Sequence, residues 1–222
     1  MWHACARGRR SRRGGRRVPR VGSAAAATIA SLALLVATPR FARADTLDDL
    51  LRKGEVTLLE TLPDGRLKQA TCIARVDVPL ERVWSTLTDF AAYKDWMPQV
   101  RTSSVVSTAL LGTGGGTHLV IDWTLAVVGP DVSFRQEADV DPIGHRVYQH
   151  QVSGALPGSY WIWELERAGD TTIVRRTVRN NVVDSNWVVK QVEDENHTLD
   201  YGINSAVGVI EVRGLKRRLG VP

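Results

Sequence analysis

Cysteine is nearly missing from this chain: the 222 residues hold only Cys5 and Cys72, so loss of an N-terminal leader carrying Cys5 leaves no internal disulfide. Cys72 falls among alternating strand residues and reads as a small buried hydrophobe. Acidic residues are missing from the first 44 positions, where ten arginines stand between Arg7 and Arg43; all 24 Asp and Glu lie at or beyond Asp45. The formal charge of +5 therefore belongs to the N-terminal segment, and the remaining 19 basic against 24 acidic residues give −5. A mildly acidic domain lacks the electrostatic basis for nucleic-acid binding. A membrane-spanning run is missing too, since the apolar stretch Ala24 to Ala37 has about 14 residues, short of the ~20 that cross a hydrocarbon core.

The recognised marks of catalytic chemistry are equally scarce. Gly112-Thr113-Gly114-Gly115-Gly116 lacks the following Lys-Ser/Thr and helix that phosphate cradling needs, and reads as a hairpin connection. His118, His145, His150 and His197 have no partner at a metal-ligand spacing; His118 and Asp122 share a strand face but stand ~13 Å apart along it. No metal and no cofactor is expected. Gly-x-Ser-x-Gly is absent, and no nucleophile is tied to a base. Asp122, Arg135, Tyr148, His150, Arg175 and Arg179 lie on strands and are candidates for acid–base work if those faces turn inward, or solvated residues if they turn outward. No residue is assigned a catalytic role.

What is present is orderly. Arg7 to Arg20, the apolar stretch, and Ala42-Arg43-Ala44 follow the order of a cleaved secretion signal over residues 1–44. Arg16-Arg17 resembles a twin-arginine signal, with an ordinary arginine-rich secretory signal as the alternative. The expected location is periplasmic or extracellular. Residues 45–65 read as an extension with a short helix, Thr46 to Lys53, and a strand, Glu55 to Thr61. Pro63-Asp64-Gly65 then makes a turn into a second strand, Arg66 to Val78. Pro79 opens a helix in which Leu80, Val83, Trp84 and Leu87 share a face, and Phe90, Tyr93, Trp96 and Met97 continue at helical spacing up to Pro98.

From Val100 to Val183, turn signals at Gly112 to Gly116, Gly129-Pro130, Pro142 to Gly144, Pro157-Gly158 and Gly169-Asp170 divide six strands. Alternation in Leu119, Ile121, Trp123, Leu125 and Val127, in Val132, Phe134, Ala138 and Val140, and in Val174, Val178 and Val182 predicts an antiparallel sheet with one apolar face. Its cover is the C-terminal segment, where Leu199, Ile203, Ala206, Val207 and Ile210 form a stripe that Leu215 and Leu219 extend. Glu193 to Glu195 precede that stripe, and Arg213 and Lys216 to Arg218 end it. Gly202, Gly208 and Gly214 each cost such a helix ~1 kcal/mol relative to Ala, so the helix leans on packing or its glycines admit close approach to what lies beneath.

The sequence Val78-Pro79-Leu80-Glu81-Arg82-Val83-Trp84, then Leu87-Thr88-Asp89-Phe90 with Tyr93, Trp96 and Pro98, a six-strand meander and a final helix resembles the START-like (SRPBCC) superfamily, closest to its polyketide cyclase and coenzyme Q-binding group. The resemblance runs over about residues 66–219. It implies an α+β helix-grip fold: a curved antiparallel sheet around a long C-terminal helix, with an apolar cavity between them. It further implies binding of a lipid-, quinone- or polyketide-like apolar small molecule by Trp84, Leu87, Phe90, Trp96, Trp123, Phe134, Trp161, Trp163, Ile203, Val207 and Ile210. Those residues equally suit a plain core. Two alternatives stay open beside a non-enzymatic carrier: a small cyclase or dehydratase using the same cavity, and a protein interaction module with a vestigial one. Transient membrane contact and oligomeric state are left open. The departures from the family are the N-terminal extension and the long connection Asp184 to Asp194, both of which bear on the cavity mouth.

Overall fold

The computed structural model describes residues 46–112, 114–126, 131–181 and 198–222. The proposed leader, the Gly129-Pro130 turn, Val127, Val182, Val183, Glu193 to Glu195, His197 and the Asp184 to Asp194 connection lie outside them.

A short helix, α1 (Leu47–Leu51), is closed by a capping box in which Thr46 and Asp49 exchange side-chain and backbone hydrogen bonds. Strand β1 (Val56–Thr61) turns into β2 (Leu67–Val76) through Gly65, whose φ of +85° suits a residue without Cβ. Asp64 Oδ1 accepts the Arg66 backbone N–H across that turn at 3.1 Å. The extension is therefore part of the sheet: β1 pairs with β2 along its whole length.

Helix α2 (Leu80–Thr88) has Pro79 at its N-cap and buries Leu80, Val83 and Leu87. A 3₁₀ turn (Phe90–Ala92) leads into α3 (Tyr93–Trp96). The fully buried Tyr93 donates its hydroxyl to the carbonyl of Leu87 at 2.6 Å, which fixes α3 against the end of α2.

Six strands follow as expected: β3 (Val100–Leu111), β4 (Gly116–Leu125), β5 (Val132–Asp141), β6 (Arg146–Gly154), β7 (Tyr160–Ala168) and β8 (Thr171–Arg179). The sheet is eight-stranded and antiparallel, in the order β1-β2-β8-β7-β6-β5-β4-β3, so the last strand of the meander returns to the first core strand. The inward face alternates strictly. Cys72, Ala74 and Val76 on β2, Phe134 and Ala138 on β5, Trp161, Trp163 and Leu165 on β7, and Val174 and Val178 on β8 are all buried.

The cover is α4 (Thr198–Leu219), which packs chiefly on β2 and β8. Its orientation corrects the sequence reading. The buried positions are Asp200, Asn204, Gly208, Val212, Gly214, Leu215 and Leu219, whereas Ala206 and Ile210 face outward, Ile210 at 40% exposure. Two contacts turn the helix this way, and neither is apolar in the ordinary sense. Asn204 Oδ1 accepts the backbone N–H of Asn180 at 2.6 Å while its amide donates to Asp200 Oδ1 at 2.8 Å, and Asp200 in turn pairs with Arg179. Gly208 lies directly on the sheet, where a Cβ would stand 3.2 Å from that of Cys72. A stripe drawn through apolar side chains alone misses both.

At its far end α4 is fastened by Glu55, which accepts from Arg213 at 3.1 Å and Lys216 at 3.2 Å. Gly214 sits even closer to its neighbours than Gly208, with a hypothetical Cβ 2.7 Å from Pro98 Cδ and 3.0 Å from the Trp96 carbonyl oxygen. The glycines at 208 and 214 thus allow close approach, and Gly202 has open space around it.

Candidate functional site: an apolar cavity between sheet and helix

Between the inner sheet face and α4 lies a cavity of about 380 Å³. Trp123 from β4, Phe134 from β5 and Trp161 from β7 form an aromatic wall, with the Phe134 and Trp161 rings stacked 5.6 Å apart. Tyr93, Met97 and Val100 close one side, and Ile203 and Val207 present the α4 side. Leu125, Val132 and Leu156, from strand ends and the β6–β7 connection, are half-buried at its rim.

The cavity is not uniformly apolar. Gln136, Gln149 and Arg176 line it on the inward face and are buried. Arg176 Nε donates to Glu211 Oε2 of α4 at 2.5 Å, its Nη1 lies 3.4 Å from Gln149 Oε1, and its guanidinium stacks 4.3 Å over the Trp163 ring. A buried charge survives only with such partners; removing one typically costs ~3–5 kcal/mol. The pair therefore pins the middle of α4 to β8 while leaving the cavity wall without net charge. Asn180 Oδ1 accepts the indole N–H of Trp161 at 2.9 Å and so fixes one aromatic wall.

Five residues expected at a cavity line it: Trp123, Phe134, Trp161, Ile203 and Val207. The other six do not. Leu87, Phe90 and Trp96 fill the core between the short helices and the sheet, where Phe90 packs on Tyr93 at 5.3 Å. Trp163 lies beneath Arg176, fully buried. Trp84 is at the core's margin, edge-on to His145 at 5.4 Å, and Ile210 points outward with the rotated helix face.

The acid–base candidates turn away. Asp122 and Arg135 form a two-point ion pair at 2.6 and 2.8 Å on the outer sheet face, and Arg175 pairs there with Glu166 at 2.7 Å. Tyr148 and His150 stack on each other, and Arg179 is committed to Asp200. The residues that do face inward, Gln136, Gln149, Arg176 and Asn180, are one position away in sequence from those candidates. The signal was present: Gln136 interrupts the apolar alternation between Phe134 and Ala138, and Arg176 interrupts it between Val174 and Val178.

Burial perturbs two core groups strongly. Desolvation, helped by the nearby Glu55 carboxylate, pushes the Cys72 thiol up to about 11, so this cysteine is unreactive packing. Desolvation likewise drives the Tyr93 hydroxyl far above its usual range, which keeps it a neutral donor to Leu87. Among the described residues, no three His, Cys, Asp or Glu side chains gather as a metal site would require, and no helix is long and apolar enough to cross a membrane.

Residues 73–182 match a family model described as polyketide cyclase / dehydrase and lipid transport. Among solved structures, a protein from Thermus thermophilus is similar with a TM-score of 0.54 at 17% identity, covering 68% of this chain and 95% of that one. A STAR-related lipid transfer protein from Xanthomonas axonopodis is similar with a TM-score of 0.52 at 13% identity, covering 76% and 94%. At these identities the structures speak to the fold. No curated protein sequence matches. The family match over residues 73–182 and the helix-grip architecture agree with the resemblance to the START-like superfamily carried by the Val78 to Pro98 segment.

Proposed function

We propose that this is an exported, non-enzymatic protein that binds or carries a small apolar molecule in the cavity under α4. The observation that supports the reading is the cavity itself: aromatic walls, an apolar rim, and inward polar groups that hydrogen-bond without forming a nucleophile–base pair among the described residues. Among the described residues, its one carboxylate, Glu211, is already bound to Arg176, and its tyrosine to Leu87. Export rests on the leader pattern of residues 1–44.

Size narrows the ligand. A cavity of about 380 Å³ is near the low end of the ~300–1,000 Å³ typical of small-molecule sites, which favours a molecule of one to three rings over a two-chain phospholipid. A two-ring ligand burying ~300 Å² of apolar surface gains ~7–8 kcal/mol gross, and association costs at least ~4 kcal/mol. Apolar burial alone therefore gives weak binding, and polar contacts must supply the rest.

A ligand that binds only the folded state stabilises it by ~2.7 kcal/mol at a hundredfold excess over its Kd. A thermal-shift panel of ring-sized quinones, phenols and polycyclic ketones should contain stabilising compounds. If none raises the melting temperature and nothing apolar co-purifies, the binding function is wrong.

A further inference from the structure

The cavity lining holds a buried polar cluster, and most of its half-buried residues are apolar. Gln136, Gln149 and Arg176 are 3%, 2% and 3% exposed, while Leu125, Val132, Leu156, Ile203 and Val207 are half-buried. The buried polar groups are, moreover, left with donors to spare. Arginine can only donate, so the amide end of Gln149 that faces Arg176 is its carbonyl oxygen, and its NH₂ is the end left over. Arg176 uses Nε on Glu211 and Nη1 on Gln149, and its Nη2 makes no hydrogen bond among the described residues. Gln136 Nε2 and the indole N–H of Trp123, both buried on the cavity wall, have no partner either.

A buried donor without a partner is costly, typically ~1–3 kcal/mol, and Gln136 Nε2 and Trp123 Nε1 are two such donors; with the unused donors of Gln149 and Arg176 on the same cavity lining, they mark a place where an acceptor belongs. Resting on the binding function proposed above, we infer that the ligand enters polar end first and presents an uncharged oxygen, a carbonyl or hydroxyl, to Gln136, Gln149, Trp123 and Arg176. The apolar remainder then points toward the rim. The oxygen is uncharged because Glu211 already neutralises Arg176: an anionic head would gain that guanidinium only by standing beside the Glu211 carboxylate.

Calorimetric titration of the purified protein at neutral pH with naphthalene, 2-naphthol and 2-naphthoate separates the terms, because the three share one ring system. The expected order is 2-naphthol tightest, by about tenfold over naphthalene, as one well-made hydrogen bond provides, with 2-naphthoate weaker than 2-naphthol. Gln136→Leu and Gln149→Leu, alone and together, should remove the preference for 2-naphthol over naphthalene, with folding checked by melting temperature. Naphthalene binding as tightly as 2-naphthol, 2-naphthoate binding tightest, or a preference that survives the double variant would each overturn this inference while leaving the apolar binding function intact. Failure of all three compounds to bind would overturn both.

Discussion

The glycines of α4 offer a graded test of how this helix is seated. Replacing glycine by alanine inside a helix gains ~0.8–1 kcal/mol of intrinsic propensity wherever the methyl fits. At Gly202 nothing lies within 4 Å of the new Cβ, so the full gain is expected, a rise of ~2–4 °C in Tm for a domain of this size. At Gly208 the methyl would meet Cys72 Cβ at 3.2 Å, and strand and helix must separate by a few tenths of an ångström. Overpacking of that kind costs ~1–3 kcal/mol, which offsets or exceeds the propensity gain. At Gly214 the methyl meets the Pro98 ring at 2.7 Å and the Trp96 carbonyl at 3.0 Å, neither of which is a flexible side-chain end, so a net loss of ~2 kcal/mol is expected. Thermal and urea unfolding of the three single variants should rank Gly202→Ala above the parent, Gly208→Ala level with it or below, and Gly214→Ala lowest. If Gly214→Ala proved as stable as Gly202→Ala, the packing of α4 on the α3 end would be wrong.

The ion pair under α4 should behave as a unit. Arg176→Met or Glu211→Leu alone strands a buried charge and should cost ~3–5 kcal/mol in denaturant unfolding, whereas the double variant should recover most of that; additive losses would show that the two do not interact. Ile203→Trp should fill the cavity, leaving stability within ~1 kcal/mol but weakening every apolar ligand, as titration with unfolding would show; strong destabilisation would mean Ile203 is packed core. Because the folded Cys72 thiol is raised to about 11 from an ordinary 9.0, its contribution to stability is fully present below pH 9 and is lost as pH rises toward 11. Cys72→Ala should flatten that part of the stability–pH curve, and an unchanged slope would contradict the burial argument. If residues 1–44 are a cleaved leader as proposed, N-terminal sequencing of the mature protein should begin at or near Asp45; intact protein in the membrane fraction would make the leader an anchor.

Turn signals divided the six strands of the meander, and period-two alternation marked the buried face of β4, β5 and β8, because a sheet with one buried face writes its pleat into the sequence. The Pro79 to Pro98 segment was as legible, since a proline at each end and apolar residues at helical spacing leave few options. The same pleat carried the inward polar residues, but the sequence left the pleat direction open, and the structure turns Arg135, Tyr148 and Arg175 outward, one residue from the inward Gln136, Gln149 and Arg176. The seating of α4 was not legible from periodicity. What turns the helix is Asn204 reaching the Asn180 backbone, Asp200 meeting Arg179, and Gly208 lying flat on Cys72, contacts that no hydrophobic count registers. Trp163 was misplaced for a related reason: an inward tryptophan on a strand was read as wall, and Arg176 lies over it.

Native mass spectrometry of the purified protein, paired with organic extraction, tests the central claim most directly. The parent protein should carry a small apolar molecule, or take one up from a panel of ring-sized ketones and phenols, and Ile203→Trp should lose it while remaining folded. A parent protein that flies bare and accepts none of the panel would contradict a ligand-binding cavity under α4.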